Sequence, residues 1–367
     1  MILAEILKAF EQEIPLSLQE PWDKSGLQIG SKRQKIRNVL FAYDACHEVL
    51  RYAAKNKIDL IVTHHPLSLS DIKNLSLDSY EGEIFRLAIK NNIAIYTAHT
   101  SHDSSPHSLN RHYAKKLGLQ NISPLRPIKD KPFVKLVVYV PVNHTEKVME
   151  AVFTAGGGTV GHYSCCSFRT NGTGTFKGDN TTTPFLGTQG KLEEADENRV
   201  EFLIVRNRLQ PVIQAMLAAH PYEEVAYDLF ALENSPSQTG LGIYGKLSTP
   251  KKLSALVPTI KKLFNTSKVR LTGKSSKIIR SIGLCTGSGT SLLESAVANG
   301  VDLFITGDVK YHNAISALRE NIALLDVGHF HSEIRSVTLL KDLFKKIFGN
   351  QLTLSEYTRL KDPFFLL

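Results

Sequence analysis

The stretch IDLIVTHHPL, residues 58–67, sets an apolar, β-branched run directly before two histidines, His64 and His65. A short run of this composition predicts a buried strand, and the stretch near Glu81–Asn91 that follows it has helical character. The same order recurs on both sides: Ile36–Asp44 precedes a helix near His47–Asn56, and Ile93–Thr100 precedes one near Ser108–Leu117. This repetition indicates βα units and a parallel sheet.

The pattern resumes after residue 245. A helix is predicted to begin after Ser248-Thr249-Pro250, a capping residue followed by a proline in the first turn. The apolar runs Ile278–Cys285, Val301–Thr306 and Ile322–Val327 each lead into a further helix. We therefore predict an α/β fold with mostly parallel sheets that are covered on both faces.

The middle of the chain has a different character. Phe133–Val142 and Arg199–Val205 are typical of strands, a Gly- and Thr-rich stretch lies between them, and Leu209–Ala219 is helical, which indicates a small α+β module. Residues 128–240 carry a net charge of −3, whereas the flanks carry +12. We predict a discontinuous host domain, 1–127 and 241–367, that is interrupted by an inserted domain, 128–240.

Composition excludes several classes of protein. The chain has 367 residues, of which 42% are hydrophobic and 22% are charged. This length and composition predict two or three globular domains and exclude a disordered or coiled-coil protein. Its longest apolar runs fall short of the roughly 18 residues that a membrane span needs, so no membrane partner is expected. The first residues predict an amphipathic helix rather than a signal peptide, and four cysteines without a metal or disulfide pattern favour the reducing cytoplasm.

The chain is basic, with a net charge of +9, which favours an anionic partner such as a small molecule or nucleic acid. Lys251–Arg280 holds nine basic residues and no acidic one. This stretch is interpreted either as a solvated helix face and loop or as a surface that binds an anion or nucleic acid. The sequence leaves both interpretations open.

Metal-ligand residue types follow three of the predicted strands. These sets are His64 and His65; His99, His102 and Asp103; and His329, His331 and Glu333. Ligands bind at the carboxyl ends of strands in open α/β sheets, so segments distant in sequence converge there. The sequence therefore predicts a metal site built from all three sets.

Spacing within the sets favours two ions. Adjacent residues of an extended chain point to opposite sides, so His64 and His65 suit two neighbouring ions better than one. If Gly328 opens a helix, His329 and Glu333 lie on one face a single turn apart. Together with Asp103 the predicted ligands are three imidazoles and two carboxylates, a mixed N/O set that suits zinc, iron, manganese or cobalt. His331 should face elsewhere, and His102 is interpreted as a polar loop or helix-face residue.

Further candidates lie close to these ligands. His99, which shares a turn with Asp103, is a candidate to orient a ligand or carry a proton. The loop Cys285–Ser291, with Ser288 and Gly289, is either a plain turn or a phosphate site, and Lys310 would face the same phosphates. Trp22 is interpreted as a core residue.

Five motifs, in order along the chain, resemble the NIF-three-like family, whose members are often called GTP cyclohydrolase type-two homologues. They are PWDKSGLQIG (Pro21–Gly30), DLIVTHHPL (Asp59–Leu67), AHTSHD (Ala98–Asp103), TGDVKYHNA (Thr306–Ala314) and GHFHSE (Gly328–Glu333). The middle is similar to the PII/CutA-like insert of longer members, which implies a ferredoxin-like fold; GHYSCCSFRTNGTGTF (Gly161–Phe176) and HPYEEVAYDL (His220–Leu229) carry this likeness.

The resemblance implies a two-metal site with ligands at His64, His65, Asp103, His329 and Glu333, of which Glu333 bridges the ions. It also implies a ring-shaped homohexamer whose sites face an interior cavity. This chain departs from the family pattern at Ser101-His102, where members more often have Asn-Leu, and the departure adds an imidazole near the metals.

Two functions are compatible with these features. The first is a metal-dependent hydrolase that opens a C–N bond in a nucleotide-like ring or cleaves a phosphoester, with His99 as proton carrier. The second is a non-catalytic ring-shaped protein that supplies metal to other proteins or binds nucleic acid through Lys251–Arg280.

Overall fold

The structure is a computed structural model that describes residues 1–71, 75–128, 133–161, 163–232 and 239–364. It consists of two compact units. The first comprises Met1–Ile128 and Gln238–Leu367, and the second comprises Lys129–Ser237. In sequence, the second unit therefore interrupts the first.

The elements follow in chain order. Before the interruption the first unit contains helices α1 (Leu3–Glu13), α2 (His47–Lys55), α3 (Tyr80–Lys90), α4 (Thr100–Asp103) and α5 (Leu109–Lys116), and strands β1 (Gly26–Ile29), β2 (Asn38–Ala42), β3 (Leu60–Thr63), β4 (Ala94–Thr97) and β5 (Gln120–Pro127). The second unit contains β6 (Phe133–Pro141), α6 (Thr145–Thr154), β7 (Ser167–Phe176), β8 (Glu193–Val205), α7 (Leu209–Ala219) and β9 (Tyr227–Ala231).

The first unit then continues with β10 (Gly240–Lys252), α8 (Leu253–Leu263), β11 (Arg270–Thr272), β12 (Ile278–Leu284), α9 (Leu293–Ala298), β13 (Leu303–Thr306), α10 (Tyr311–Arg319), β14 (Ala323–Asp326), α11 (His329–Glu333), α12 (Ser336–Phe348) and β15 (Thr353–Glu356). Short 3₁₀ turns occupy Leu16–Leu18, Val142–His144, Arg206–Arg208 and Thr290–Leu292.

One sheet of the first unit has the strand order β1-β4-β3-β2-β15. Its last four strands are parallel to one another, and β1 alone runs antiparallel, against β4. Side chains alternate along β2: Val39 and Phe41 pack with α1 and α12, whereas Leu40 and Ala42 pack with α2 and α3. This sheet is covered on both faces, as the sequence predicted.

The second sheet has the order β11-β14-β13-β12-β10-β5 and is mixed. Only β12, β13 and β14 are parallel, while the pairings of β11, β10 and β5 are antiparallel. The prediction of mostly parallel sheets is therefore wrong for this sheet. The difference arises because β5 and β10 pair antiparallel on either side of the interruption and β11 adds a short antiparallel edge, so the fold is mixed α/β with several sheets.

The helix predicted to begin after Ser248-Thr249-Pro250 begins later, at Leu253. Strand β10 runs on to Lys252 because its pairing with β12 resumes at Lys251, opposite Ile279, after a shift of register. Pro250 lies in that irregular stretch, where its missing N–H group costs no ladder hydrogen bond.

The second unit is a four-stranded antiparallel sheet, β7-β8-β6-β9, on which α6 and α7 pack through a common core that includes Val138, Phe202 and Met216. The sequence did not predict β7. Most of the side chains of β7 are exposed, so it lacks the apolar alternation from which a strand is recognised.

Two further findings concern membrane-spanning helices and the cysteines. Within the described ranges, no helix combines the length and the apolar character that crossing a bilayer requires. All four cysteines are free thiols.

Substituting Phe344→Ala tests the packing of the first sheet. The Phe344 ring is fully buried and lies 4.7 Å from the Phe10 ring and 5.0 Å from the Phe41 ring, so it joins α12 to α1 and β2. We expect the free energy of unfolding to fall by about 3–5 kcal/mol in urea titrations followed by circular dichroism. Phe364→Ala is the control, because this ring is 83% exposed and its loss should change stability little. Equal effects of the two substitutions would contradict this packing.

Candidate metal centre

The carboxyl ends of strands from both sheets of the first unit meet at one place. His64 and His65 follow β3, and Glu333 lies on α11, which follows β14. The two segments are in direct contact, since His65 Nε2 lies 3.2 Å from Glu333 Oε2. Segments separated by 268 residues thus form one site, as expected for a ligand-binding edge of α/β sheets.

Glu333 occupies the middle of this site and is buried. Its Oε2 accepts a hydrogen bond from the Tyr43 hydroxyl at 2.8 Å and lies 2.9 Å from His329 Nε2. Its Oε1 points to the other side, where it lies 3.6 Å from His64 Nε2. The two carboxylate oxygens therefore face different imidazoles.

The helix that carries Glu333 is short and begins after a glycine. Gly328 has φ +86°, and α11 starts at the next residue, so His329 and Glu333 lie one turn apart on the same face. His331 points elsewhere, with its Nε2 3.4 Å from a carboxylate oxygen of Asp362. The predicted placement of these three side chains on the helix agrees with this geometry, whereas the role of His329 and Glu333 as metal ligands stays a prediction.

Three of the histidines are held by carboxylates through Nδ1. His65 is 2.7 Å from Asp44, His329 is 2.6 Å from Asp308, and His99 is 2.7 Å from Asp23. Nδ1 donates in each case, because the ionised carboxylate accepts only, and this leaves Nε2 as the atom that can coordinate or take a proton.

Sequence reasoning missed Asp44, Asp308 and Tyr43 as parts of the site. Asp44 and Asp308 each lie two residues beyond the end of a strand, β2 and β13, and that position was the signal that could have identified them. Tyr43 gives no comparable signal, because its hydroxyl reaches Glu333 only through the fold.

Asp23 is buried beside His99 because β1 pairs antiparallel with β4, Gly26 opposite Thr97. Its Oδ2 accepts from the Ser25 hydroxyl at 2.7 Å and from the Thr100 N–H at 3.0 Å. Burial alone would raise the pKa of Asp23, but these hydrogen bonds and His99 hold that pKa well below its usual range.

Trp22, next to Asp23, was interpreted as a core residue, and this interpretation is wrong. The indole is 53% exposed and meets the His99 ring edge-on, with ring centres 5.9 Å apart. The residues that follow it turn back to hydrogen-bond at His99, which holds this stretch at the site and leaves the indole facing solvent.

Within the described residues, three groups of side chains could each hold a metal ion. They are His64, His65 and His99; His64, His102 and Asp103; and His65, His329 and Glu333. In each group the ligand atoms lie within 4.8 Å of one another. The five predicted ligands are thus brought together, and His99 and His102 join them.

The polar atoms of the group His64, His102 and Asp103 fit a cation. His64 Nδ1 and Nε2, His102 Nδ1 and Asp103 Oδ1 are buried and have no hydrogen-bond partner in the part of the chain that the structure describes. Leaving a buried polar group unpaired costs about 1–3 kcal/mol, and a cation that accepts one lone pair from each of these side chains removes most of this cost.

The charge of the site is arranged around Glu333. Burial would raise its pKa, but His64, His329 and His65 lower it, so Glu333 is an anion. Burial lowers the pKa values of His65 and His329, yet their carboxylate partners raise them to about 10 and about 9. Burial and Glu333 raise the pKa of Asp103 well above its usual range. A bound divalent cation would replace these protons as the counter-charge.

The predicted phosphate-binding residues differ in exposure. Lys310 and Ser288 are exposed, whereas Gly289 is buried and its N–H group donates to the Thr306 hydroxyl at 2.9 Å. The same loop contacts the cluster at Gly287, where an added Cβ would lie 2.0 Å from Glu333 Oε1.

The basic stretch Lys251–Arg280 is partly used within the fold. Arg270 contacts the Asp326 carboxylate, and the Lys277 ammonium group donates to the carbonyl of Asn321. Other lysines of the stretch are exposed, among them Lys252 and Lys268. Binding of nucleic acid at this surface stays a prediction.

These features define a mixed α/β protein with a candidate metal centre at the carboxyl ends of its strands. The family model of Duf34/NIF3 (NGG1p interacting factor 3) matches residues 1–362, and the chain belongs to this family. The resemblance stated from the five motifs is confirmed.

Individual relatives agree with this assignment. The chain is 37% identical to the "GTP cyclohydrolase 1 type 2 homolog" of Halalkalibacterium halodurans, covering 88% of this chain and 87% of the relative, and 33% identical to the protein of that name in Bacillus subtilis, covering 96% and 95%. A crystal structure of a Bacillus cereus protein related to NIF3 superimposes with a TM-score of 0.91 at 34% identity, covering 100% of this chain and 99% of that chain.

Substituting Gly287→Ala tests the close approach of the 285–291 loop to Glu333. The new Cβ would collide with Oε1, and Gly287 has φ +64°, so we expect metal content, measured by plasma mass spectrometry, to fall severalfold. Gly118→Ala is a matched control, because Gly118 has φ +70° but no atom within 4 Å of the added Cβ. Retained metal in Gly287→Ala would show that the loop does not constrain the carboxylate.

Substituting Asp23→Asn tests the charge at the His99 carboxylate. Folding lowers the pKa of Asp23, so its contribution to stability is present above the unfolded value of about 3.9 and is lost as the pH falls below it. We expect the free energy of unfolding of the variant to be about 1–3 kcal/mol lower than that of the wild type at pH 7. This difference should shrink by about 1 kcal/mol at pH 3. Urea titrations at both pH values measure the difference.

The exposed Asp71, which pairs with Lys24 at 2.7 Å, provides the control for this measurement. Asp71→Asn should leave the free energy of unfolding unchanged at pH 7. An Asp23→Asn variant as stable as Asp71→Asn would mean that the buried carboxylate does not stabilise the fold.

Proposed function

We propose that this protein is a hydrolase that uses two divalent transition-metal ions, zinc, iron or manganese, and acts on a nucleotide-like or phosphorylated substrate. One observation carries the proposal: the Glu333 carboxylate directs Oε1 towards His64 and Oε2 towards His65 and His329. A carboxylate shared by two ions about 3.5–4 Å apart is usual in hydrolytic two-metal centres.

The two proposed metal positions use different residues. His64 and Asp103 belong to the buried position, and His65 and His329 belong to the more open one, with Glu333 shared between them. The side chains of His65 and His329 are 24% and 35% exposed, so a substrate can approach the open position. Ions bound here supply Lewis-acid activation of water and of a substrate oxygen.

His99 is the proposed proton carrier. Its Nδ1–H donates to Asp23, so Nε2 is free to take a proton from an attacking water and return it to the leaving group. The centre of its ring lies 5.3 Å from that of His64 and 5.4 Å from that of His65, which supports a role for His99 beside the proposed metal positions. Asp23 stabilises the protonated imidazole during the transfer.

Two surface features support a nucleotide-like substrate. The exposed indole of Trp22 beside His99 offers a face on which a base can stack. Lys310 and Ser288 are proposed to contact phosphates, since Lys310 is exposed two residues beyond Asp308, which holds His329. The names of the relatives favour the opening of a C–N bond in a purine ring, and ester cleavage uses the same groups.

Two further expectations from the resemblance are kept as proposals. The order βαββαβ with the antiparallel sheet β7-β8-β6-β9 supports a ferredoxin-like fold for the second unit. A ring-shaped homohexamer is proposed as the state in solution, and multi-angle light scattering measures its mass.

Metal content and hydrolysis should be measured together on protein purified without a chelator or a metal-affinity tag. We expect about two ions per chain, and turnover of a purine nucleoside triphosphate or a nitrophenyl phosphoester. Glu333→Gln should lose both, because the amide has one oxygen and no charge to share. His99→Gln should keep both ions and lose turnover at least about 100-fold. His331→Gln, on the same helix but directed to Asp362, is the control.

Other outcomes would overturn parts of this proposal. A wild-type protein that takes up no metal would refute the metal centre, and full metal content in Glu333→Gln would refute the shared carboxylate. Loss of metal in His99→Gln would make His99 a ligand rather than a proton carrier. Two bound ions without turnover of either substrate class would favour the non-catalytic binding protein.

A further inference from the structure

His102 is a buried histidine with a defined tautomer. Its side chain lies on α4, next to Asp103, and the residue is 1% exposed. Its Nε2 lies 3.1 Å from the carbonyl oxygen of His107. A carbonyl only accepts hydrogen bonds, so Nε2 carries the proton.

The other ring nitrogen carries a lone pair and is unsatisfied. His102 Nδ1 is buried and has no hydrogen-bond partner among the residues that the structure describes. A proton on Nδ1 would be equally unpaired and would add a buried charge, which is more costly still. The imidazole is therefore neutral, with an available lone pair inside the protein.

His102 belongs to a group of three side chains that could hold a metal ion, and its Nδ1 is the nitrogen left available by the bond to His107. The ligand atoms of His64, His102 and Asp103 all lie within 4.8 Å of one another. Asp103 Oδ1 and both ring nitrogens of His64 are also buried without partners. None of these atoms makes a hydrogen bond within the part of the chain that the structure describes, and a cation would accept one lone pair from each of the three side chains.

We propose that His102 Nδ1 is a ligand of the buried metal position, an inference that rests on the proposed function. This position then has two nitrogen ligands, His64 and His102, together with carboxylate oxygens from Asp103 and Glu333. Imidazole favours zinc and cobalt, whereas an oxygen-rich set suits manganese and magnesium. His102 therefore makes the buried position selective for zinc over manganese.

Two substitutions separate a ligand from a structural side chain. His102→Leu removes both nitrogens and fills the buried space. His102→Gln retains an amide N–H group that can donate to the His107 carbonyl but has no imidazole lone pair. His331→Leu is the matched control. It removes an imidazole that lies two residues from Glu333 in sequence and has Asp362 as its partner.

Bound metal is first removed from the full-length protein with a chelator. The protein is then titrated with Zn²⁺ and Mn²⁺ against a chromophoric competitor. A titration with Co²⁺ is followed by visible absorption. In both His102 variants we expect one of the two Zn²⁺ sites to weaken by about tenfold or more, with a smaller change for Mn²⁺. The Co²⁺ ligand-field bands of that site should also shift. His331→Leu should match the wild type.

Each alternative outcome contradicts the proposal. If His102→Gln restores wild-type Zn²⁺ affinity and Co²⁺ bands, His102 acts only through its bond to His107. If both variants bind both metals as the wild type does, the unpaired nitrogen is no ligand, and the two-metal centre of the proposed function still stands. A wild-type protein that binds no ion would refute both proposals. Should His102→Leu fail to fold by circular dichroism, His102→Gln decides the question.

Discussion

The buried carboxylate of Glu333 is the constraint around which the first unit is organised. An isolated anion in the interior is costly, so its environment must supply donors and positive charge. Tyr43 from the end of β2, His64 and His65 from the end of β3, and His329 from its own helix all converge on it. These groups come from both sheets, so the relative position of the two sheets determines the geometry of the site.

The two sides of this carboxylate are built differently, and the difference has chemical consequences. On the open side, His65 and His329 are oriented by Asp44 and Asp308, so their Nε2 atoms are directed before any ion arrives. On the buried side, the polar atoms of His64 have no such partners. The open side is paired through these carboxylates, whereas the buried side has unpaired polar atoms that a cation would satisfy. This difference supports a resident ion at the proposed buried position.

The sequence reveals those parts of the structure that depend on local pattern. Apolar runs followed by helical stretches identified most of the parallel strands, and spacing within α11 placed His329 and Glu333 on one face. Features that depend on tertiary contacts escaped it. Strand β7 has no buried face to produce alternation, β10 continues through Pro250 because of its pairing with β12, and the approach of Gly287 to Glu333 has no counterpart in the linear sequence. His102 looked like a polar surface residue because burial cannot be inferred from one helical turn.

The point of interruption explains how a second unit can be accommodated without disturbing this site. Strands β5 and β10 pair antiparallel with Pro127 opposite Gly240, so the chain leaves and re-enters the first unit at neighbouring positions, as a hairpin loop would. The second unit has its own core, so it does not depend on the host for its apolar burial. Yet the Gly240 N–H donates to the carbonyl of Ser104, one residue beyond Asp103, at 2.9 Å. The chain therefore re-enters the first unit next to α4, because Ser104 is the residue that directly follows this helix.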